Sequence, residues 1–313
     1  MFKIKNLSYI LILLLVGCSG YEWNINHPNG PRLKFTYDLT NEAGGVENQL
    51  TKYISSGELY IYKADQLVQT RLLNLEEMNN PKGIILNLVD SEEYKVVCYA
   101  NIGTYNIVNG ISKWSTARLN NRSSDVSNIV SNDRVYYGTA TITPEQATTT
   151  SKAEIVLDFT NIHFGIKVQA KGLEGKRAEL YIDNCISTFD VATDAPISEN
   201  KSRMIPPITR SAGEFNFESR FNLLKPQSIP SFDNNIEFRT EVEGESISFN
   251  LKEFINAKYN NPNKLLNDII DRKKEVLLSI VIDKSELDIT INLNVTIPDW
   301  EIEDGGVDVD DNV

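Results

Sequence analysis

Apolar and polar side chains alternate without a break from residue 287 to residue 297, and no other pattern limits the fold of this chain as much. The apolar positions are Leu287, Ile289, Ile291, Leu293, Val295 and Ile297. Successive side chains of a β-strand point to opposite faces, whereas an α-helix repeats about every 3.6 residues, so only a strand gives all of these positions one face. The segment therefore predicts a half-buried strand that ends at Pro298.

Shorter runs of the same kind recur along the chain and are separated by clusters of Gly, Asn, Ser and Pro. The first runs from Leu33 to Leu39, with Phe35 and Tyr37 on the same apolar face. The other predicted strands are 57–62, 84–89, 94–101, 134–141, 153–159, 164–170, 178–184, 214–222, 236–242, 246–250 and 276–282. Short strands divided by turn residues are typical of an all-β protein.

One segment has a helical rather than a strand-like pattern. Asn261 and Pro262 are the residue types found at a helix N-cap and in a first turn. The apolar residues that would then share one helix face are Leu265, Leu266, Ile269 and Ile270. We therefore expect one short helix, in the second half of the chain.

The length of 313 residues is enough for two ordinary domains. A polar stretch at residues 148–151 separates two strand-rich segments and predicts a boundary near residue 150. We expect a first block at residues 32–150 and a second block at residues 151–313, which includes a C-terminal tail. Residues 18–31 are polar, contain two prolines and a glycine after His27, and predict a tether.

The N-terminus has the features of a bacterial lipoprotein signal. Lys3 and Lys5 precede an apolar run at residues 9–16, which is shorter than the roughly 20 residues that a spanning helix needs. A Leu-Val-Gly-Cys sequence follows and ends at Cys18. We expect residues 1–17 to be removed and Cys18 to carry lipid that holds the protein at the outer membrane. The alternative is an ordinary secretory signal with a chance cysteine.

Charge and cysteine content exclude several classes of protein. The formal net charge is −12, which argues against nucleic acid or an anionic membrane surface as the main partner. Besides Cys18, the chain contains only Cys98 and Cys185, too few for a disulfide-rich scaffold. Both lie in predicted strands, where buried free thiols are expected, although an exported pair could also form a disulfide.

The sequence offers little material for catalysis or metal binding. His27 and His163 are the only histidines, and the segment 172–177 lacks the spacing and the Ser or Thr of a phosphate-binding loop. The aspartates near the C-terminus do not follow the spacing of an EF-hand calcium loop. We therefore expect no catalytic residues, no metal and no cofactor, and we do not expect an enzyme.

Several segments occur in the order found in a known family. They are RLKFTYDL at 32–39, residues 57–67 and 94–101, YYG at 136–138, and TIPDW at 296–300. With the lipoprotein signal before them, the chain resembles the FimB-like fimbrial anchor lipoproteins of Bacteroidales over nearly all of its mature length. The resemblance implies two tandem transthyretin-like β-sandwich domains, with the predicted helix in the second.

The resemblance also implies a minor subunit that ties a fimbrial shaft to the outer membrane and limits its length. The shaft subunit would join by strand addition, which pairs open backbone groups and fills alternate side-chain pockets. We expect the C-terminal segment to be available for this contact. Its alternating apolar residues are Trp300, Ile302, Val307 and Val309. The same segment could instead form a last strand of the chain's own sheet and an acidic, solvated end.

The sequence is also compatible with two other classes of function. A β-sandwich lipoprotein could bind a glycan or a protein at the cell surface through exposed aromatic side chains, for which Trp23, Trp114 and Tyr105 are candidates. Packing is the more common role of such residues. A hydrolase is the third class, and the lack of a recognisable nucleophile and base counts against it.

Overall fold

The computed structural model describes residues 30–40, 45–88, 90–123, 127–147, 152–159, 161–171, 178–193, 195–197, 201–210, 216–224, 237–242, 245–250, 276–285 and 288–296. The predicted helix, the signal, residues 18–29 of the predicted tether and the C-terminal tail lie outside these residues. Gly30 and Pro31, the last two residues of the predicted tether, are buried, and the carbonyl of Pro31 accepts a hydrogen bond from the N–H of Leu86 at 2.9 Å.

Strands dominate the described part of the chain, which confirms the all-β prediction. The strands are β1 (Arg32–Thr36), β2 (Asp38–Thr40), β3 (Val46–Asn48), β4 (Ser56–Lys63), β5 (Gln66–Asn74), β6 (Ile84–Ile85), β7 (Tyr94–Ala100), β8 (Asn106–Asn109), β9 (Arg118–Asn121), β10 (Asn128–Ile129), β11 (Tyr136–Ile142), β12 (Lys152–Val156), β13 (Asp158–Phe159), β14 (Asn161–Lys171), β15 (Ala178–Ile186), β16 (Thr188–Asp190), β17 (Ala195–Pro196), β18 (Lys201–Met204), β19 (Thr209–Arg210), β20 (Asn216–Leu224), β21 (Glu237–Val242), β22 (Glu245–Asn250), β23 (Val276–Ser285) and β24 (Asp288–Thr296).

Short helices connect some of these strands, and the sequence patterns did not predict them. They are α1 (Leu50–Tyr53), α2 (Leu75–Met78), α3 (Pro144–Ala147) and a 3-10 turn at Trp114–Thr116. Each α-helix is four residues long, too short to produce a helical period in the sequence. The alternation that predicted a strand at 287–297 is confirmed by β24, which pairs with β23 in antiparallel register.

A five-stranded central sheet organises the first block, with the order β13-β11-β7-β4-β5. In β7 almost every side chain is buried, because layers of structure cover both faces of the sheet. The apolar run at residues 96–100 therefore reads as a continuous stretch rather than as an alternating one.

On one face, the central sheet packs against an N-terminal sheet with the order β12-β1-β6. Leu33 and Phe35 of β1 and Ile155 of β12 are buried in this interface, which we call the N-terminal core. The pairing of β1 with β12 is parallel and places Phe35 opposite Ile155. The predicted face of β1 is thus confirmed, since its alternate apolar residues point into the core.

On its other face, the central sheet is rich in tyrosine and packs against a bridging sheet with the order β17-β16-β9-β8. Tyr99 and Tyr137 stack with ring centroids 6.1 Å apart, and Phe189 meets Tyr137 edge-on at 5.2 Å. Phe189 belongs to the second block, so this second core is built by both blocks.

Several strand pairs cross the predicted boundary at residue 150. β12 pairs with β1, β13 with β11, β16 with β9, and β10 with β18. Residues 152–159 are therefore hydrogen-bonded to the first block, beyond the point where the polar stretch placed the boundary. The division into two domains stays a prediction. The remaining sheets have the orders β10-β18-β15-β21-β22 and β19-β20-β14-β23-β24.

Candidate functional surfaces

The sequence-predicted site residues fall into two groups. Cys18 and the tail residues Trp300, Ile302, Val307 and Val309 lie outside the described residues, as does Trp23. Trp114 is described, and its ring packs edge-on against Tyr62 at 5.4 Å. Burial, with a smaller contribution from Asp65, raises the pKa of Tyr62 to about 12. Trp114 therefore packs against the second core, between the central sheet and the bridging sheet.

Cys98 and Cys185 are both free and buried, which confirms the expectation of unpaired thiols. Cys98 lies in the N-terminal core, and Cys185 lies in β15 of the second block. Burial raises the pKa of each thiol, so neither has the character of a reactive nucleophile.

The described residues contain neither a candidate metal site nor a helix that could span a membrane. There, no group of three or more histidine, cysteine, aspartate or glutamate side chains could hold a metal ion. None of the helices found in the described segments has the length and apolar character that crossing a membrane requires.

A network of buried amides joins the two blocks. Asn132 accepts hydrogen bonds at Oδ1 from the side-chain amides of Asn106 (3.0 Å) and Asn121 (3.2 Å). Its own amide donates to the backbone carbonyl of Asn222 in β20, at 3.0 Å. The amide of Asn222 donates in return to the backbone carbonyl of Asn132, at 2.8 Å. We call these four asparagines the asparagine junction.

Asp133 fixes the loop that carries this junction. Its carboxylate accepts hydrogen bonds from the backbone N–H groups of Gly103 (2.8 Å), Tyr105 (3.1 Å) and Asn106 (2.8 Å). In return, the backbone N–H of Asp133 donates to Oδ1 of Asn106 at 2.6 Å. Tyr105, an aromatic binding candidate in the sequence, is thus held through its backbone at this turn.

The sequence interpretation missed the asparagine junction. Residues 120–132 are rich in Asn and Ser, which predicts a long surface loop. Instead, Asn132 is only 1% exposed and Ser131 only 4%. Their polar groups can be buried because partners from distant strands satisfy them. A single sequence gives no sign of such pairing.

Beside the asparagine junction lies a polar groove of about 490 Å³, which we call the junction groove. Its walls come from β8, β9 and the following residues of the first block, and from the β15–β16 turn and β18 of the second block. The lining residues are Ile107, Asn109, Asn120, Asn121, Arg122, Ser123, Ile129, Ser187, Thr188 and Ser202. Amide and hydroxyl groups predominate, and no carboxylate is among them.

The outer edge of β5 is an open strand edge. β5 is the last strand of the central sheet, and only its start is covered, where the N–H of Leu67 donates to the carbonyl of Ser112 at 3.0 Å. From Val68 to Leu73, no described residue pairs with the outer backbone groups. Val68 is 51% exposed and Leu72 is 77% exposed.

Charge does not protect this edge. The exposed positions of β5 alternate along the strand and are all uncharged: Gln66, Val68, Thr70, Leu72 and Asn74. Natural proteins commonly protect a long edge strand with charges, proline or a cover. The β5 edge has the properties of a surface to which an extended segment can add.

The fold and these surfaces define an all-β protein with an exposed strand edge and a polar groove. The family comparison gives the particular group: residues 24–305 match the model for "Mfa2: Fimbrillin-A associated anchor proteins Mfa1 and Mfa2". The match covers most of the chain, and the protein therefore belongs to this family. Membership of this family supports a fimbria-associated role for the protein at the cell surface. No curated protein sequence matches the chain.

Solved structures of several Bacteroidales proteins share the fold. A proposed adhesin of Bacteroides ovatus is 11% identical with a TM-score of 0.64, over 87% of this chain and 94% of that one. A proposed polysaccharide-binding protein of Bacteroides thetaiotaomicron is 13% identical with a TM-score of 0.62, over 87% and 99%. The fimbrial anchor protein Mfa2 of Porphyromonas gingivalis is 12% identical with a TM-score of 0.58, over 87% and 97%.

Proposed function

We propose that this protein is a minor fimbrial subunit that anchors a fimbrial shaft to the outer membrane through lipid on Cys18 and limits the length of the shaft. The observation that carries the proposal is the family match over residues 24–305. The free, buried thiols of Cys98 and Cys185 support a packing role for both cysteines.

The lipid is the proposed membrane attachment. Each buried methylene contributes about 0.8 kcal/mol to membrane binding, so two or three acyl chains hold a protein firmly where one chain binds reversibly. A net charge of −12 gives no electrostatic attraction to an anionic bilayer, so the lipid must supply the attachment.

The shaft subunit would join by strand addition, and the chain offers two candidate places. One is the C-terminal segment with Trp300, Ile302, Val307 and Val309, which follows β24 at the edge of its sheet. The other is the β5 edge, whose outer backbone groups from Val68 to Leu73 have no described partner. In either place, an added strand would satisfy open N–H and C=O groups.

Attachment is tested by replacing the lipidated residue. Cys18→Ala should leave the fold intact and release the protein, together with any attached fimbriae, into the medium. Cell fractionation and electron microscopy measure both effects, and a serine variant at buried Cys98 controls for the loss of a thiol. Membrane-bound protein after Cys18→Ala would contradict the assignment.

Strand addition is tested at both places in the same strain. Truncation after Pro298 removes the tail, and Val68→Lys places a charge on the β5 edge, where an incoming strand would have to bury it. The matched control is Val130→Lys, since Val130 is 44% exposed and lies outside any strand. The variant that releases fimbriae identifies the contact. Normal, attached fimbriae in both variants would exclude strand addition at these places.

A further inference from the structure

The junction groove contains the guanidinium group of Arg122, which forms no ion pair with any residue that the structure describes. Arg122 is fixed at two points, because its Nε donates to the carbonyl of Asn106 at 2.6 Å and its backbone N–H donates to the carbonyl of Tyr105 at 2.7 Å. Among the described residues, none accepts a hydrogen bond from its terminal nitrogens, and no carboxylate lies within ion-pair distance of it. The planar fork of Arg122 is therefore oriented but unoccupied by any described side chain.

This charge distribution differs from that of the rest of the chain. The protein has 43 acidic and 31 basic residues, yet none of the described residues that line the groove is acidic. The neighbouring arginine Arg118, by contrast, is paired with Asp190 at 3.0 Å. A guanidinium group whose two terminal nitrogens are available matches a carboxylate in bidentate geometry.

Internal hydrogen bonds hold the other polar walls in place. Thr188 donates from its hydroxyl to Oδ1 of Asn120 at 3.0 Å, which links the two blocks across the groove. The hydroxyl of Ser123 donates to the carbonyl of Asn128 at 2.7 Å. Such fixed walls lose little conformational freedom when a ligand binds.

One further side chain is free to contact a ligand. Asn109, at the end of β8, is exposed and its amide makes no hydrogen bond within the described part of the chain. Ile107 and Ile129 add apolar surface to the groove. The groove thus combines one unpaired guanidinium, one free amide, fixed hydroxyls and two apolar side chains. A pyranose ring with a carboxylate presents the complementary groups: an anion, several hydroxyls and apolar C–H faces.

We propose that the junction groove binds a carboxylated sugar, with Arg122 holding the carboxylate and Asn109 a ring hydroxyl. The volume of about 490 Å³ lies in the ordinary range for small-ligand sites. The site is separate from the proposed lipid on Cys18 and from the β5 edge, so the protein would bind an acidic glycan unit in addition to its role in fimbriae.

The test is calorimetric titration of the purified full-length protein with sodium glucuronate and with N-acetylneuraminate. At least one should bind to the wild type, and Arg122→Gln should weaken that binding about tenfold or more, because the charge and the fork are both lost. Asn109→Ala should weaken it a few-fold. The matched control is Arg32→Gln, since Arg32 lies in β1 and outside the groove, and it should bind like the wild type.

Two simpler ligands test the contributions of the carboxylate and of the sugar ring separately. Glucose lacks the carboxylate and should bind more weakly than glucuronate, while acetate lacks the ring and should also bind more weakly. Should Arg122→Gln lose stability with the Asn106 hydrogen bond, Asn109→Ala still tests the site, since its side chain has no described partner to lose. The proposal is overturned by an absence of binding to both acidic sugars, by acetate binding as tightly as they do, or by unchanged affinity in both groove variants.

Discussion

The N-terminal core and the asparagine junction both hold distant parts of this chain together, but by different physical means. In the core, β1 and β12 are about 120 residues apart in sequence and are joined by parallel pairing and by buried apolar side chains such as Phe35 and Ile155. In the asparagine junction, Asn132 reaches Asn222 through directed hydrogen bonds between amides and carbonyls.

Because of this difference, the two regions should tolerate different amino-acid substitutions. Apolar burial is non-directional and roughly proportional to area, so another apolar side chain of similar size can replace much of it. A buried hydrogen-bond network requires every partner, because an unpaired donor or acceptor keeps its full desolvation cost. The core therefore supplies stability, and the junction fixes the geometry with which β20 meets the first block.

The largest effect of a substitution on the free energy of unfolding is expected in the N-terminal core. Phe35 is 5% exposed, and Phe35→Ala should lower the free energy of unfolding by about 3–5 kcal/mol, because the change loses burial and leaves a cavity. Phe35→Leu should recover most of this loss. Urea denaturation of the full-length protein measures both.

Val46→Ala is the matched control for the core, since Val46 is 67% exposed and its truncation should change stability by no more than about 0.5 kcal/mol. Equal effects at Phe35 and Val46 would mean that β1 does not contribute to the core as the structure indicates.

The second largest loss of stability is expected in the asparagine junction. Asn132→Ala removes the Oδ1 acceptor that the amides of Asn106 and Asn121 share, and the amide that donates to the carbonyl of Asn222, which should cost about 1–3 kcal/mol. Each of the two donor amides keeps one other acceptor, the carbonyl of Asn120 or of Ser131. Asn132→Leu should be no better than the alanine variant, because added apolar surface cannot satisfy those donors. In this respect the asparagine junction should differ from the N-terminal core, where Phe35→Leu restores most of the stability that Phe35→Ala loses.

Asn109→Ala provides the control for an asparagine without a described partner, and thermal or urea unfolding measures the series. A leucine variant at Asn132 that restores wild-type stability would remove the distinction between the two regions.

These two regions also differ in how far the sequence predicts them. The alternation of Leu33, Phe35 and Tyr37 predicts the strand and its buried face, because a period of two depends only on local geometry. It does not predict β12 as the partner, since burial on one face is compatible with many pairings. The all-β class follows from patterns of this kind.

The asparagine junction, the junction groove and the β5 edge could not be predicted in this way. Asn132 lies in the stretch whose Asn and Ser residues predict a loop, and only the folded chain brings its side chain to the amide of Asn106. β5 was missed because polar and apolar residues are mixed on both of its faces. Gln69 and Arg71 lie on the less exposed face, and Val68 and Leu72 lie on the exposed face, so the sequence shows no apolar alternation. The resemblance to fimbrial anchors did identify the family, since the order of weak segments carries information that no single segment does.

The smallest effect concerns charge at the rim of the N-terminal core. Arg71 pairs with Glu77 at 2.7 Å, and Glu77 also accepts a hydrogen bond from the backbone N–H of Asn74 at the start of α2. The hydrogen bond from Arg71, and to a smaller extent the one from the backbone of Asn74, lower the pKa of Glu77 below its ordinary value of 4.5. A carboxylate with a lowered pKa in the folded state stabilises the fold at pH values above 4.5. The contribution falls away as the pH drops through the folded-state value.

Glu77→Gln should therefore cost a few tenths of a kcal/mol to about 1 kcal/mol at pH 7, because both partners are about one-third exposed and water screens the pair. The difference between this variant and the wild type should shrink as the pH falls from 7 to 3, because the carboxylate loses its contribution as the pH drops through its folded-state pKa. Glu76→Gln, on the exposed side of α2, is the control and should leave stability unchanged at both pH values. A Glu77→Gln penalty of the same size at pH 3 and pH 7 would show that helix capping, rather than the ion pair, accounts for the role of Glu77. The rim of the core would then depend on directed hydrogen bonds in the same way as the asparagine junction does.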